Sequence, residues 1–238
     1  MSMEPHASKV SFRIYLIAAR SAFASREAWL EAIVRVAAAT ARPAAGAGGH
    51  AAALQVRIEP EFAAASEGLA RSALYAIRDV DPSHGLTLFI NAPGAEALRL
   101  GYQGAHWREV DLPVSSAAAS PRVGPLRSAS VHSKAALRQA ELAGADLALF
   151  GPVWRSLWKQ SRPLGLEALR GATRDARIPV FALGGVTPER AVTCLEHGAH
   201  GVAVAGGVLH ASDPGAALAQ YASAIAGALT KPQPAGDA

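Results

Sequence analysis

A loop that follows one of the strand-like segments carries the residue types of an anion-binding site. In FGPVWRSLWKQSRPLGLEAL (150–169), Lys159 offers a positive charge, Ser156 a hydroxyl and Gly165 a backbone N–H that a ligand can approach closely. Charge-assisted hydrogen bonds from such groups hold phosphate in proteins. We therefore interpret this loop as one wall of a phosphate site; the alternative interpretation is a solvated loop without a ligand.

Two further segments each run from an apolar strand into a pair of glycines. They are FALGGVTPER (181–190) and VAVAGGVLH (202–210). Glycine lets an anion approach backbone N–H groups, and a short helix that begins there adds the positive end of its dipole. One such pair also serves tight turns, but two pairs at the ends of consecutive strands indicate a phosphate site. The glycines concerned are Gly184, Gly185, Gly206 and Gly207.

Positive charge is concentrated in one part of the chain. Residues 121–177 hold ten Lys and Arg against four Asp and Glu, whereas the net charge of all 238 residues is +4. The cations are spread over several elements, with no interleaved stacking aromatics and no recognisable nucleic-acid-binding motif. We therefore expect this field to attract a small phosphorylated ligand rather than nucleic acid.

Two histidines lie where predicted strands end. His132, in SASVHS, follows the fifth strand, and an imidazole that titrates near neutrality can both accept and donate a proton. On position alone, catalysis and a place beside a helix cap explain His132 equally well. His106, in GAHWREVDLP, ends the fourth strand in the same way. No H-x-x-x-H or C-x-x-C spacing is present, so we predict no metal site from spacing.

The elements that must position these residues alternate between strand-like and helix-like segments. Several strand-like runs are continuously apolar, as expected of parallel strands covered on both faces. Thr187 marks a helix start, and Gly144 and Gly198 mark helix ends. The pattern predicts a single-domain TIM (β/α)8 barrel, with a doubly wound open sheet as the alternative. The predicted strands span 12–18, 53–58, 86–91, 104–107, 125–131, 145–151, 179–185 and 201–207.

The remaining features of the chain indicate a cytoplasmic protein. Its single cysteine, Cys194, excludes an internal disulfide and fits a reducing compartment. No apolar run reaches the roughly 18 residues that span a bilayer, and the first residues carry no signal-peptide pattern, so we expect no membrane partner. We predict that the barrel occupies residues 10–228 and that residues 229–238 form a disordered tail.

Together, these motifs resemble the thiamine phosphate synthase superfamily, which also contains the TenI-like thiazole tautomerases. The resemblance runs from IYLIAAR to VAVAGGV and is most specific in SVHS, GADLALFGPV, IPVFALGGVTPER and GAHGVAVAGGV. LQVRIEP resembles the family's Gln-x-Arg stretch, LFINAP its Ile-Asn-Asp-Arg stretch, and GAHWREVDLP its Gly-Val-His-Leu-Gly-Gln-Glu-Asp-Leu-Pro stretch. The resemblance implies a TIM barrel and a possible homodimer.

The resemblance also implies a site. Synthases of this family join a hydroxymethylpyrimidine pyrophosphate to a thiazole phosphate, with Mg²⁺ on the pyrophosphate. Residues implied to line the pyrimidine and pyrophosphate side are Gln55, Arg57 and Asn91. Residues implied to hold pyrophosphate and thiazole phosphate are Ser130, Ser156, Lys159 and Gly165, and the four glycines at 184–185 and 206–207 are implied to hold the thiazole phosphate.

The chain departs from the synthase pattern at the metal site. The family's Asn-Asp-Arg is Asn91-Ala92-Pro93 here, its next aspartate is Ala95, and these two aspartates bind Mg²⁺ in synthases. Alanine offers no side-chain oxygen, and a hard cation on a pyrophosphate needs carboxylates. Val110 replaces a glutamate, although the neighbouring Asp111 is kept, and Trp158 replaces a threonine of the phosphate loop.

Three functions are compatible with this pattern. The first is a TenI-like thiazole tautomerase, which needs a phosphate anchor, no cofactor, and one proton-transfer residue that the resemblance implies is His132. The second is a divergent thiamine phosphate synthase that uses Asp111 and Mg²⁺ with substituted ligands, or no metal. The third is a non-catalytic protein that binds a phosphorylated heterocycle.

Overall fold

Eight parallel strands close into a barrel in the computed structural model, which describes residues 10–41, 52–82, 85–112, 124–155 and 162–230. Each strand pairs with the next one in sequence, and the first pairs with the last, so the sheet has no edge. This confirms the predicted TIM barrel, and the doubly wound alternative is wrong. The strands are β1 (Ile14–Ala19), β2 (Ala52–Arg57), β3 (Leu86–Ile90), β4 (Gly104–Trp107), β5 (Leu126–Val131), β6 (Leu147–Phe150), β7 (Val180–Leu183) and β8 (Gly201–Val204).

Helices cover the outside of the barrel, and short 3-10 segments follow three of the strands. None of the helices within the described ranges is both long enough and apolar enough to cross a membrane. The helices are α1 (Arg26–Ala41), α2 (Ser66–Val80), α3 (Gly94–Leu100), α4 (Lys134–Leu142), α5 (Leu166–Asp175), α6 (Pro188–Glu196), α7 (Gly206–Leu209) and α8 (Pro214–Thr230). The 3-10 segments are Arg20–Ala22, Pro60–Ala65 and Glu109–Asp111.

Side chains alternate along each strand between two layers of the core. On β1, Leu16 packs with the surrounding helices, whereas Tyr15 and Ile17 belong to the cluster inside the barrel. The rings of Tyr15 and Phe89 lie 5.2 Å apart there. Gly104 lies so close to the Phe89 ring that an added Cβ atom would be 2.2 Å from a ring carbon. The interior of the barrel is therefore filled with side chains, so a ligand can bind only at the rim.

The helix boundaries predicted from capping residues are confirmed. Thr187 accepts a hydrogen bond from the N–H of Arg190 at the start of α6. Gly144 and Gly198 follow α4 and α6 with φ of +84° and +85°, a conformation that favours glycine.

The last helix extends beyond the predicted end of the barrel at residue 228. It continues to Thr230, and Leu218, Tyr221 and Ile225 of this helix belong to the buried core. The rest of the predicted tail, residues 231–238, lies outside the described residues.

Candidate active site

Two adjoining cavities lie at the carboxyl ends of the strands. The first, of about 540 Å³, lies beyond the ends of β2, β3 and β4. The second, of about 280 Å³, lies between the ends of β1, β7 and β8 and the segment after β6. Arg57 and Glu59 line both cavities. The barrel therefore has one divided site, with an arginine and a glutamate between its two halves.

Arg57 is held at this division by a buried carboxylate. Its Nε lies 3.3 Å from Oε1 of Glu59, and the other oxygen of Glu59 accepts the backbone N–H of Ser21 at 3.0 Å. Arg57 and Glu59 are two residues apart at the end of β2, so they lie on the same side of the chain. Because only one edge of the guanidinium faces Glu59, its Nη groups can donate to a ligand.

Asn91 lines the first cavity but also ties two strand ends together. Its Oδ1 accepts the N–H of Ile58 at 2.8 Å, and its Nδ2 donates to the carbonyl of Ile58 at 2.7 Å. Gln55 is inward-facing on β2 and only 1% exposed, and its Nε2 has no hydrogen-bond partner among the described residues. A buried amide donor without a partner is costly, so this group is available for a ligand or a water.

His106 is the centre of a hydrogen-bond chain that begins inside the barrel. The hydroxyl of Tyr15 lies 3.0 Å from that of Ser128, which lies 2.8 Å from Nδ1 of His106. Nε2 of His106 lies 2.9 Å from the hydroxyl of Ser130. Burial, assisted by the charge of Arg57, lowers the pKa of His106 to about 3. His106 is therefore neutral near pH 7 and orients Ser130 rather than carrying charge.

His132 lies at the end of β5 and is exposed. Its backbone N–H donates to Oε2 of Glu109 at 2.8 Å, and its Nδ1 contacts the carbonyl of Gly151. Because a carbonyl oxygen can only accept, Nδ1 carries a proton, and in the neutral ring Nε2 is the nitrogen with the lone pair. This form of His132 can accept a proton, although the residue is not among those that line either cavity.

The predicted phosphate glycines differ in their surroundings. Gly184 and Gly206 line the second cavity. Gly185 and Gly207 do not line it, and close packing explains why each is a glycine. An added Cβ atom at Gly185 would lie 2.7 Å from the carbonyl oxygen of Arg155, and one at Gly207 would lie 2.7 Å from the Tyr221 hydroxyl. One member of each predicted pair therefore lines the cavity, and three of the four glycines, Gly184, Gly185 and Gly207, permit a close contact.

The loop residues predicted to hold phosphate are only partly described. The N–H of Gly165 donates to the carbonyl of Val153 at 3.1 Å, so it is not free for a ligand as predicted. The bond lies beside a second one, from the N–H of Leu164 to the carbonyl of Pro152 at 2.8 Å, so residues 164–165 lie against the segment that follows β6. Ser156, Trp158 and Lys159 lie outside the described residues, and their predicted roles stay predictions.

The donors of the first cavity do not fit a divalent cation. Both oxygens of Asp111 accept hydrogen bonds from Arg108, from Nε at 2.6 Å and from Nη2 at 2.9 Å. Hydrogen bonding to Arg108 lowers the pKa of Asp111. Ala92 and Ala95 offer no side-chain oxygen, and the structure places no three His, Cys, Asp or Glu residues together within its described ranges. A Mg²⁺ ion would find no uncommitted carboxylate pair here.

Sequence reasoning missed several residues of this site. Glu59, Arg108, Tyr15 and Ser128 were not predicted. Two sequence spacings could have indicated the ion pairs: i, i+2 from Arg57 to Glu59, and i, i+3 from Arg108 to Asp111. The contact between Tyr15 and Ser128 joins residues 113 positions apart and has no local signal.

An eight-stranded parallel barrel with its polar groups and cavities at the carboxyl ends of the strands has the architecture of TIM-barrel enzymes. The family model for thiamine monophosphate synthase matches residues 14–208. A putative thiamine-phosphate synthase from Geobacter sulfurreducens is 32% identical over 209 residues, which cover 87% of this chain and 91% of that protein. The chain belongs to the thiamine monophosphate synthase family.

Two further similarities agree with this membership. A thiamine-phosphate synthase from Gloeobacter violaceus is 35% identical over 148 residues, 61% of this chain, and the aligned part spans only 43% of that protein. The solved thiamine phosphate pyrophosphorylase from Pyrococcus furiosus has a TM-score of 0.69 and 25% identity, covering 92% of this chain and 97% of that one.

Proposed function

We propose that this protein is a divergent thiamine phosphate synthase, a transferase that joins hydroxymethylpyrimidine pyrophosphate to thiazole phosphate. The observation that carries the proposal is the divided site, because two adjoining cavities give room for two substrates side by side, which a one-substrate isomerisation does not use. The relatives are named synthases, which favours the transferase over the tautomerase that the sequence departures favoured.

Each cavity suits one substrate. The first would take the pyrimidine pyrophosphate, with Arg57 and Asn91 in its lining and Ser130 hydrogen-bonded to the lining residue His106. The role predicted for Gln55, which does not line this cavity, stays a prediction. The second would take the thiazole phosphate, beside Gly184 and Gly206. The roles predicted for Ser156 and Lys159 stay predictions.

The chemistry that follows is a substitution at carbon. The thiazole ring nitrogen forms a bond to the methylene carbon of the pyrimidine, and the carbon–oxygen bond to the pyrophosphate breaks. The electron pair of that bond leaves with the pyrophosphate. Arg57, at the division between the cavities, is placed to stabilise the negative charge that develops on the leaving group.

A direct assay tests the proposal. Both substrates are incubated with the protein, once with Mg²⁺ and once with EDTA, and thiamine phosphate is measured by chromatography. We expect product in both conditions, and a loss of about 10- to 100-fold in Arg57→Gln. Arg138→Gln, which removes the same charge from a half-exposed arginine of α4 outside both cavities, is the matched control. Absence of product with and without Mg²⁺ would contradict the proposal.

A thiazole tautomerase is the second candidate, because the contact between His132 and Gly151 leaves Nε2 of the ring able to accept a proton. Proton exchange of thiazole phosphate in D2O, followed by NMR, tests it. Exchange that is lost in His132→Gln and kept in His197→Gln would support the tautomerase. The non-catalytic alternative requires binding of thiazole phosphate without exchange or coupling. The predicted homodimer and cytoplasmic location stay predictions.

A further inference from the structure

Arg108 is the second arginine of the first cavity, and its side chain is 55% exposed. It precedes the 3-10 segment Glu109–Asp111, so that a single turn brings Asp111 back against its guanidinium. The resulting pair is bidentate, through Nε and Nη2. A guanidinium held by two hydrogen bonds has little rotational freedom, and Asp111 fixes the direction in which it points.

The pair with Asp111 leaves most of the donors of Arg108 unused. A guanidinium has five N–H groups, of which two donate to Asp111, so Nη1 and the second N–H of Nη2 remain. Arg57 is held in a similar way, with its Nε beside Glu59 and its Nη groups unpaired among the described residues. Both arginines line the first cavity, and each is oriented by one carboxylate.

We infer that the first cavity binds a diphosphate group directly through Arg57 and Arg108, without a divalent cation. The inference deepens the proposed function, on which it rests for the substrate that carries the diphosphate. Relative to the family pattern stated above, Pro93 replaces an arginine and Arg108 replaces a glycine, and both positions line this cavity. One cation has thus moved from one wall of the cavity to another.

The balance of charge supports the same inference. Loss of two aspartates together with the Mg²⁺ they would bind leaves the net charge of the cavity unchanged. The carboxylate that is kept, Asp111, is committed to Arg108. The cavity therefore keeps its attraction for a polyanion while losing the ligands for a metal.

Calorimetric titration of the whole chain with inorganic pyrophosphate tests the inference. We expect binding in EDTA at least as tight as binding in Mg²⁺, because Mg²⁺ lowers the concentration of free pyrophosphate. Arg108→Gln should weaken binding about 10- to 100-fold in EDTA, the effect of losing charge-assisted hydrogen bonds. Arg138→Gln, from another i, i+3 ion pair outside the cavities, should bind as the unchanged protein does.

Asp111→Asn separates direct binding from binding through a metal. If Arg108 binds the anion, removal of the neighbouring negative charge should leave pyrophosphate binding unchanged or tighter. If Asp111 is a metal ligand, the same change should weaken binding in Mg²⁺. Circular dichroism of each variant checks that it is folded.

The result that overturns the inference is pyrophosphate binding that requires Mg²⁺, that is equal in Arg108→Gln and the unchanged protein, or that is absent in both conditions. Failure of the proposed function is distinguishable, because it would appear as pyrophosphate binding in EDTA without any formation of thiamine phosphate.

Discussion

The imidazole of His106, which lines the first cavity, and the hydroxyl of Ser130 lie 2.9 Å apart. The other ring nitrogen of His106 contacts Ser128 at 2.8 Å, closer than the 3.4 Å from Ser128 to the carbonyl of Ala105. All contacts are satisfied when Tyr15 donates to Ser128, Ser128 to the ring, and the ring to Ser130. The proton of Ser130 is then left to donate to a bound anion.

The chain of hydrogen bonds should couple Tyr15 and Ser128 energetically. Ser128→Ala leaves the Tyr15 hydroxyl and Nδ1 of His106 buried without a partner, so we expect a loss of about 1–3 kcal/mol in the free energy of unfolding. Tyr15→Phe removes one of these unpartnered groups. Its cost in the free energy of unfolding should therefore be smaller in the Ser128→Ala background than in the unchanged protein. Urea unfolding of the two single variants and the double variant measures this. Additive losses would show that the two residues are independent.

Buried histidines should make the protein less stable in acid. Burial holds the pKa of His106 at about 3, below its ordinary value of 6.5, and that of His200 at about 4. Between each lowered pKa and 6.5, the folded state binds fewer protons than the unfolded chain. The free energy of unfolding should therefore fall as the pH drops below about 6.5. The slope for His106 is at most about 1.4 kcal/mol per pH unit.

Urea unfolding between pH 7 and pH 4 measures this slope, with the pH range chosen around the ordinary histidine pKa. His106→Gln and His200→Gln should each lose one histidine's share of the slope. An identical pH dependence in His106→Gln and the unchanged protein would mean that His106 titrates normally in the fold.

Filling one cavity at a time should separate the two substrates. Ala63 lines the first cavity and Ala22 the second, and neither is fully buried, so both positions tolerate a larger side chain. We expect Ala63→Trp to abolish pyrophosphate binding and keep thiazole phosphate binding, with Ala22→Trp giving the reverse. Calorimetry with each ligand on both variants tests this. Equal losses of both ligands in both variants would argue for one undivided site.

Two glycines with positive φ should respond differently to alanine. Gly165 has φ of +84°, and an added Cβ atom would have no described neighbour within 4 Å, so Gly165→Ala should cost about 1–3 kcal/mol for backbone strain alone. Gly184 has φ of +98°, and a Cβ atom would lie 2.5 Å from Pro152. Gly184→Ala should therefore lose more in urea unfolding than Gly165→Ala. Equal losses would contradict the close packing at Gly184.

The fold was predictable because its signals are local. Continuous apolar runs give buried parallel strands, and Thr187, Gly144 and Gly198 end or begin helices through contacts within a few residues. The family resemblance implied that Arg57 and Asn91 belong to the site, and both line the first cavity.

The internal connections of the site were not predictable, because they depend on register between strands. His106 meets Ser128 only because β4 and β5 pair these two positions. The N–H of Gly165 was predicted to be free, and its bond joins it to Val153, 12 positions earlier in the chain. Composition and spacing carry no information on either contact.

A crystal structure of the protein grown with thiazole phosphate, pyrophosphate and Mg²⁺ would test the divided site most directly. We expect pyrophosphate on Arg57 and Arg108 in the first cavity, thiazole phosphate beside Gly184 and Gly206 in the second, and no metal between them. A Mg²⁺ ion bound to Asp111, or both ligands in the same cavity, would contradict the metal-independent divided site.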